Sequence, residues 1–163
     1  MCWQCDRPSV TRADYVDFMQ WIMIDHGWAV QFVERDRIRP SYAYTVGLTA
    51  RDSPELLVTG LSSGRAARLL NAAAEHLCHA DTPRPGERFR LELPGSPLIE
   101  VVQVAEPSVH LVTATEFFGD QVRALQLVYA DDRGRWPWQR AFRGSRGGQP
   151  VLGVRAAWPG AAP

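Results

Sequence analysis

The chain has 163 residues, and its 18 arginines (there is no lysine) balance 18 acidic residues to a formal net charge of zero. One domain is the natural count at this length. A content of 45% hydrophobic and 22% charged residues is ordinary for a globular protein and excludes wholesale disorder, a collagen repeat or a coiled coil. No apolar run approaches the roughly 18–20 residues of a membrane span. The opening MCWQCDRPSV lacks a charged start leading into an apolar stretch, so a cytosolic protein without a secretory signal is expected.

Residues 1–10 read as a mobile segment carrying Cys2-x-x-Cys5. A helix is predicted over 11–26, where Tyr15, Phe18, Met19, Ile22 and Met23 recur at i, i+3, i+4, i+7 and i+8. Thr11 can cap its start, and Gly27 supplies the left-handed residue that ends many helices. The stretch 28–34 alternates, with Trp28, Val30 and Phe32 on one face, as a half-buried strand does. A second strand, 42–48, puts Tyr42, Tyr44 and Val46 on one side and Ala43, Thr45 and Gly47 on the other. Because Gly47 has no side chain, a close approach to its backbone is expected.

The run 55–61 is apolar enough for a central strand. Ser62 or Ser63 then opens a helix over 64–79, with Ala66, Leu69, Leu70, Ala73 and Leu77 on its buried stripe. Alternation over 87–93 and 98–104, around a Pro-Gly-Ser-Pro turn, predicts a hairpin. Residues 110–113 read as a strand running into a short helix, and 124–130 as a further strand closed by the turn Asp131–Gly134. The order predicts a single α+β domain over 11–153, with a mostly antiparallel, curved sheet and two main helices packed on it. A tail over 154–163 follows.

Several short motifs agree in order and spacing: His26-Gly-Trp28, Tyr42-Ala-Tyr-Thr-Val-Gly-Leu48, Pro54-Glu-Leu56, Leu69-Leu-Asn71, Leu125-Gln-Leu-Val-Tyr129, Asp132-Arg-Gly134, Trp136-Pro-Trp138 and Gln149-Pro-Val-Leu152. On these the chain resembles the bacterial family of the domain of unknown function 4262 over roughly residues 15–153. The resemblance implies no established activity. It leads one to expect Trp-Pro-Asp after the Gln-Leu-Val segment, where this chain has Tyr129-Ala-Asp131.

The polar residues of these motifs are the first candidates for a site. Histidine is the side chain whose ordinary pKa lies nearest neutrality, so His26 is a candidate acid or base, with Tyr44 as a donor. Tyr42, Thr45, Asn71 and Gln126 lie on regular elements, where each must be satisfied by backbone, water or ligand. The alternative is structural: His26 against its helix C-terminus, Asn71 and Gln126 bonded to neighbouring loops. No nucleophile, zinc-protease or phosphate-loop motif occurs. Cys2 and Cys5 have the spacing of half a zinc site, with Cys78-His79, or His26 and His76, as candidate remaining ligands. Cys78 and His79 point about 100° apart on a helix, which does not suit one ion. The order of Tyr44–Leu48, Pro54–Val58 and a helix from Ser62 is also similar to split-barrel flavin reductases, a likeness of fold that would imply a flavin.

Charge is unevenly placed. Residues 133–163 hold six arginines and no acid, whereas 1–132 hold 12 arginines against 18 acids. Trp136, Trp138, Phe142 and Trp158 interleave with those arginines. Guanidinium forks bind phosphate or carboxylate, and indoles stack on bases. The leading functional expectation is therefore a binding domain for a small anionic, nucleotide-like ligand, using Arg133, Arg135, Trp136 and Trp138. Nucleic acid is the less favoured partner. The rivals are an enzyme or zinc protein using His26 and Tyr44 or Cys2 and Cys5, an interaction module without a ligand, and a basic tail that folds back on its own acidic body.

Overall fold

The computed structural model describes residues 11–37, 39–142 and 148–156. Helix α1 (Arg12–His26) begins with a capping box: Thr11 Oγ1 accepts from Asp14 N at 3.2 Å, and Thr11 N donates to Asp14 Oδ2 at 2.7 Å. It ends at Gly27, whose φ of 90° lets its N–H reach Met23 O at 2.9 Å. The strands are β1 (Ala29–Val33), β2 (Tyr42–Val46), β3 (Glu55–Thr59), β4 (Arg88–Phe89), β5 (Ile99–Gln103) and β6 (Ala124–Tyr129). Helix α2 (Ser63–His79) follows β3, and the short helices α3 (Pro107–His110) and α4 (Val112–Phe118) precede β6.

The strands form one mixed sheet in the order β1-β2-β3-β6-β5-β4. Only the β3–β6 pairing is parallel, which fits the mostly antiparallel α+β expectation. β3 is buried along its whole length, as its apolar run predicts for a strand hydrogen-bonded on both sides. The sheet is open, with β1 and β4 as edges, so the closed barrel implied by the flavin-reductase likeness is absent among the described residues.

Each face of the sheet is covered. On one, Ala66, Leu69, Leu70 and Ala73 of α2 pack against Ala43, Leu56, Val58, Val101 and Leu127, and Trp28, Val30 and Phe32 flank them. Burying a side chain such as Leu70 contributes about 1.5–3 kcal/mol. On the other, Met19 of α1 and Ala114 of α4 cover Ala29, Tyr44, Val46 and Leu57. Phe18, placed on the buried stripe by spacing alone, is instead exposed, as are Trp21 and Ile24.

Two local expectations differ from the fold. Residues 110–113 form no strand: His110 ends α3, Leu111 joins the two helices, and Val112 and Thr113 open α4, with Pro107 starting the first helix and Gly119 ending the second. The 87–93 strand keeps only two ladder residues. Beyond Phe89 the backbone turns inward, with Leu93 N donating to Leu91 O at 2.8 Å and Ser96 N to Leu93 O at 3.0 Å. Gly47 meets the predicted close approach. A Cβ there would lie 3.1 Å from Gly27 O, Met23 Cγ and Trp28 Cα.

Candidate functional site

Parallel pairing of β3 and β6 places their carboxyl ends side by side. In sheets with a parallel pair, the space beyond those ends is a recurrent ligand position. Here β3 leaves through Gly60 (φ 75°) and Leu61 into α2, while β6 leaves through Ala130 into the turn at Asp131. The loop 94–97, between β4 and β5, closes the third side. Between them lies a cleft of about 410 Å³, lined by Arg65, Arg90, Ser96, Asp131, Asp132 and Gly134 among others. It adjoins a second lobe of about 500 Å³ that reaches Arg68, Leu69, Asn71, Ala72, Leu93 and Pro94. Leu61, Arg65, Tyr129 and residues 95–97 line both.

Helical periodicity explains the α2 wall. Leu70, Ala73 and Ala74 face the sheet, which turns Arg65, Arg68 and Ala72, at i, i+3 and i+7, along one flank. The guanidinium groups of Arg65 and Arg68 make no ion pair among the described residues, and Arg90 donates only to the backbone carbonyl of Ser96, at 2.8 Å. The acid beside them is occupied. Asp131 Oδ2 binds Arg135 at 2.8 Å, and its Oδ1 accepts from the backbone N–H groups of Arg133 and Arg135 at 2.9 Å each. The cleft therefore keeps a positive excess, tempered by the exposed Asp132. No His or Cys lines it, and the Ser96 hydroxyl is tied to Leu91 N and Pro97 O. Beside Asp132, the groups it presents are guanidinium cations and neutral hydrogen-bonding atoms.

The described part of the Arg/Trp segment lies on its own body, whereas Arg143, Arg146 and Trp158 lie outside the described residues. Trp136 is 6% exposed and stacks on Trp138 with ring centroids 5.2 Å apart. Arg88 lies over Trp136 at 4.9 Å and Arg155 over Trp138 at 3.5 Å. Both arginines then converge on the buried Glu100 of β5, Arg88 at 2.7 Å and Arg155 at 2.6 Å. Five side chains thus close a ring of ion pairs and cation–π contacts. Arg133 is exposed on the turn, and Arg135 is held by Asp131.

Gln126 is fully buried, and the C-terminal segment satisfies it: its Nε2 donates to Thr59 Oγ1 at 3.1 Å and Pro150 O at 2.6 Å, and its Oε1 accepts from Leu152 N at 2.7 Å. Gln149 plays a reciprocal part. Its side-chain amide bonds both the N–H and the C=O of Tyr129, at 2.8 and 2.9 Å, where β3 has already turned away from β6.

Of the other candidates, His26, Tyr42, Tyr44 and Thr45 do not line the cleft. His26 is exposed at the end of α1, 3.2 Å from Asp25 and edge-on to Trp21. Tyr44 is sealed under α4, its hydroxyl accepting from Thr113 N at 3.1 Å, and burial pushes its pKa up to about 12. A phenol so held exchanges no proton near neutrality. Tyr42 stacks on it and donates to His110 O at 3.2 Å, and burial raises its pKa too. Thr45 donates to the buried Glu55 at 2.6 Å, whose other oxygen accepts from Gly47 N, Thr49 N and Thr49 Oγ1 at 2.8–3.0 Å. Of the early candidates, Asn71 lines the second lobe, and its Oδ1 accepts from Trp28 Nε1 at 3.0 Å.

Cys2 and Cys5 lie outside the described residues. Cys78 is an exposed free thiol 3.6 Å from Arg51 Nη1, and the neighbouring His79 is 3.4 Å from Glu75. Among the described residues no group of three or more His, Cys, Asp or Glu is placed to hold a metal ion.

Arg65, Arg68 and Arg90 were not foreseen from the sequence as site residues. The available signal was Gly60-Leu-Ser-Ser-Gly64 between a predicted strand and a predicted helix, a junction that commonly faces ligands.

An open α+β sheet with a cleft at its single parallel pair is the class of domain these features define. The chain belongs to the family of the domain of unknown function DUF4262, which it matches over residues 23–143. No curated protein and no solved structure matches it. Among the described residues, no helix is long and apolar enough to cross a membrane.

Proposed function

We propose that this protein binds a small anionic molecule in the cleft between α2, the 94–97 loop and the turn at Asp131. The carrying observation is that Arg65 and Arg68 line a cleft of ligand size without a carboxylate partner among the described residues. A surface that places two unpaired guanidinium groups and a third bonded only to a carbonyl in one concavity attracts phosphate or carboxylate. This moves the expected anion site from the Arg/Trp segment, whose Arg135, Trp136 and Trp138 are taken up by the body, to a neighbouring wall. Arg133, exposed on the turn, does not line the cleft, and Asn71 lies in the far lobe.

The test is thermal denaturation with pyrophosphate or a nucleoside triphosphate, against chloride at matched ionic strength. A probe at 100 times its Kd stabilises the native state by about 2.7 kcal/mol. For a chain of this size that raises Tm by roughly 5–11 °C. Arg65→Ala combined with Arg90→Ala should abolish the rise. A double variant that responds like the wild type overturns the assignment.

A further inference from the structure

The cleft has two unlike halves. The lobe beside Asp131 is polar, with Arg65, Arg90, Ser96 and Asp132 on its walls. The lobe beside the middle of α2 offers Leu69, Ala72, Leu93 and Pro94, with Arg68 and Asn71 at its edge. Arg65 and Tyr129 belong to both, so the cationic wall sits where the halves meet. At about 410 and 500 Å³, each lobe far exceeds the roughly 30 Å³ that one water occupies in the liquid and is of the size that encloses an organic ligand. A bare inorganic anion on Arg65 would leave the apolar walls wet. Leaving Leu93 and Pro94 hydrated forfeits the contribution such surfaces make when covered.

We infer that the natural ligand is an organic phosphate monoester. Its phosphate sits at Arg65, between Arg68 and Arg90, and its apolar substituent lies along Leu69, Ala72, Leu93 and Pro94. A doubly charged phosphate suits a wall bearing three guanidinium groups better than a single carboxylate does. At the far end, Asn71 uses its carbonyl oxygen on Trp28, which leaves its N–H₂ group as a donor for a polar atom on the substituent. The inference rests on the anion reading above and adds the class of molecule to it.

Calorimetric titration of the full chain with inorganic phosphate, methyl phosphate, butyl phosphate and phenyl phosphate tests it. Each buried methylene tightens binding about fourfold. Butyl phosphate should therefore bind at least tenfold more tightly than methyl phosphate, and phenyl phosphate comparably to butyl. Ala72→Glu, which sets a carboxylate in the apolar lobe one helical turn from Arg68, should remove that advantage. Because the ester series is read on the wild type, the conclusion does not depend on how well the variant folds. Equal affinity across the series overturns the organic-ester inference and leaves the anion reading standing. Failure of every phosphate to bind, with Arg65→Ala indistinguishable from wild type, overturns both.

Discussion

Replacing Gln149 with alanine isolates the contribution of the segment that closes the sheet. Ala130 N donates to Leu98 O of the segment leading into β5. Strand alternation therefore turns the N–H and C=O of Tyr129 the other way, toward the side that β3 has left. The Gln149 amide stands in there for the missing strand, donating one bond and accepting one, and it is 4% exposed. Without it, two buried backbone groups lose their partners, each costing about 1–3 kcal/mol. Some of that returns as water enters the vacated space, so the expected loss is about 2–4 kcal/mol. At roughly 2–4 °C per kcal/mol for a chain of this length, Tm should fall by roughly 4–16 °C. Urea denaturation gives the energy, and hydrogen exchange at the Tyr129 amide locates it. Gln149→Glu should also destabilise, because it turns an oxygen toward the Tyr129 carbonyl. A loss below about 0.5 kcal/mol with undiminished protection of that amide would refute the reasoning.

Gly47→Ala should cost about 2–4 kcal/mol, since its φ of 125° is unsuited to an L side chain and a Cβ would press on Gly27 O; a denaturation midpoint unchanged from wild type would contradict this. Alkaline stability should follow Tyr44. Its phenol ionises near pH 10 when unfolded, but in the native state only at about 12, so the native state holds the extra proton between those values. Stability is then unaffected below pH 10 and falls by about 2–3 kcal/mol as pH rises from 10 toward 12. Tyr42 shifts in the same direction. Tyr44→Phe should flatten the decline between about pH 10 and about pH 12 in urea midpoints, and an equal slope in both proteins would count against it.

Much of the fold could be read locally. Thr11, Asp14 and Gly27 carry the limits of α1 in their own side chains and backbone freedom, and both strand alternations around Gly27–Gly47 survive in the packing. The misreading at 110–113 arose because Val109, Val112 and Thr113 favour strands, while their helical state is set by Pro107 and by packing of α4 on β2. The cleft was hidden for a different reason. Arg65, Arg90 and Asp131 are remote in sequence, and the parallel β3–β6 pairing together with the β4–β5–β6 ladder brings their elements together. Glu55 and Glu100 show where the sequence could have said more. Each is a carboxylate within an apolar strand, and each is buried with a full set of donors.

The docking of residues 149–155 also constrains when the domain can finish folding. During synthesis, β3, α2, β5 and β6 are complete before Gln149, Pro150, Leu152 and Arg155 exist. Until then Gln126, the outward edge of Tyr129 and one side of Glu100 lack the partners they have in the native state. A nascent chain halted short of Gln149 would display an open strand edge next to an unsatisfied buried amide, the kind of surface that chaperones and proteases recognise. Completion of the sheet thus waits on synthesis of residues 149–155, so chains halted before them are marked by the fold itself.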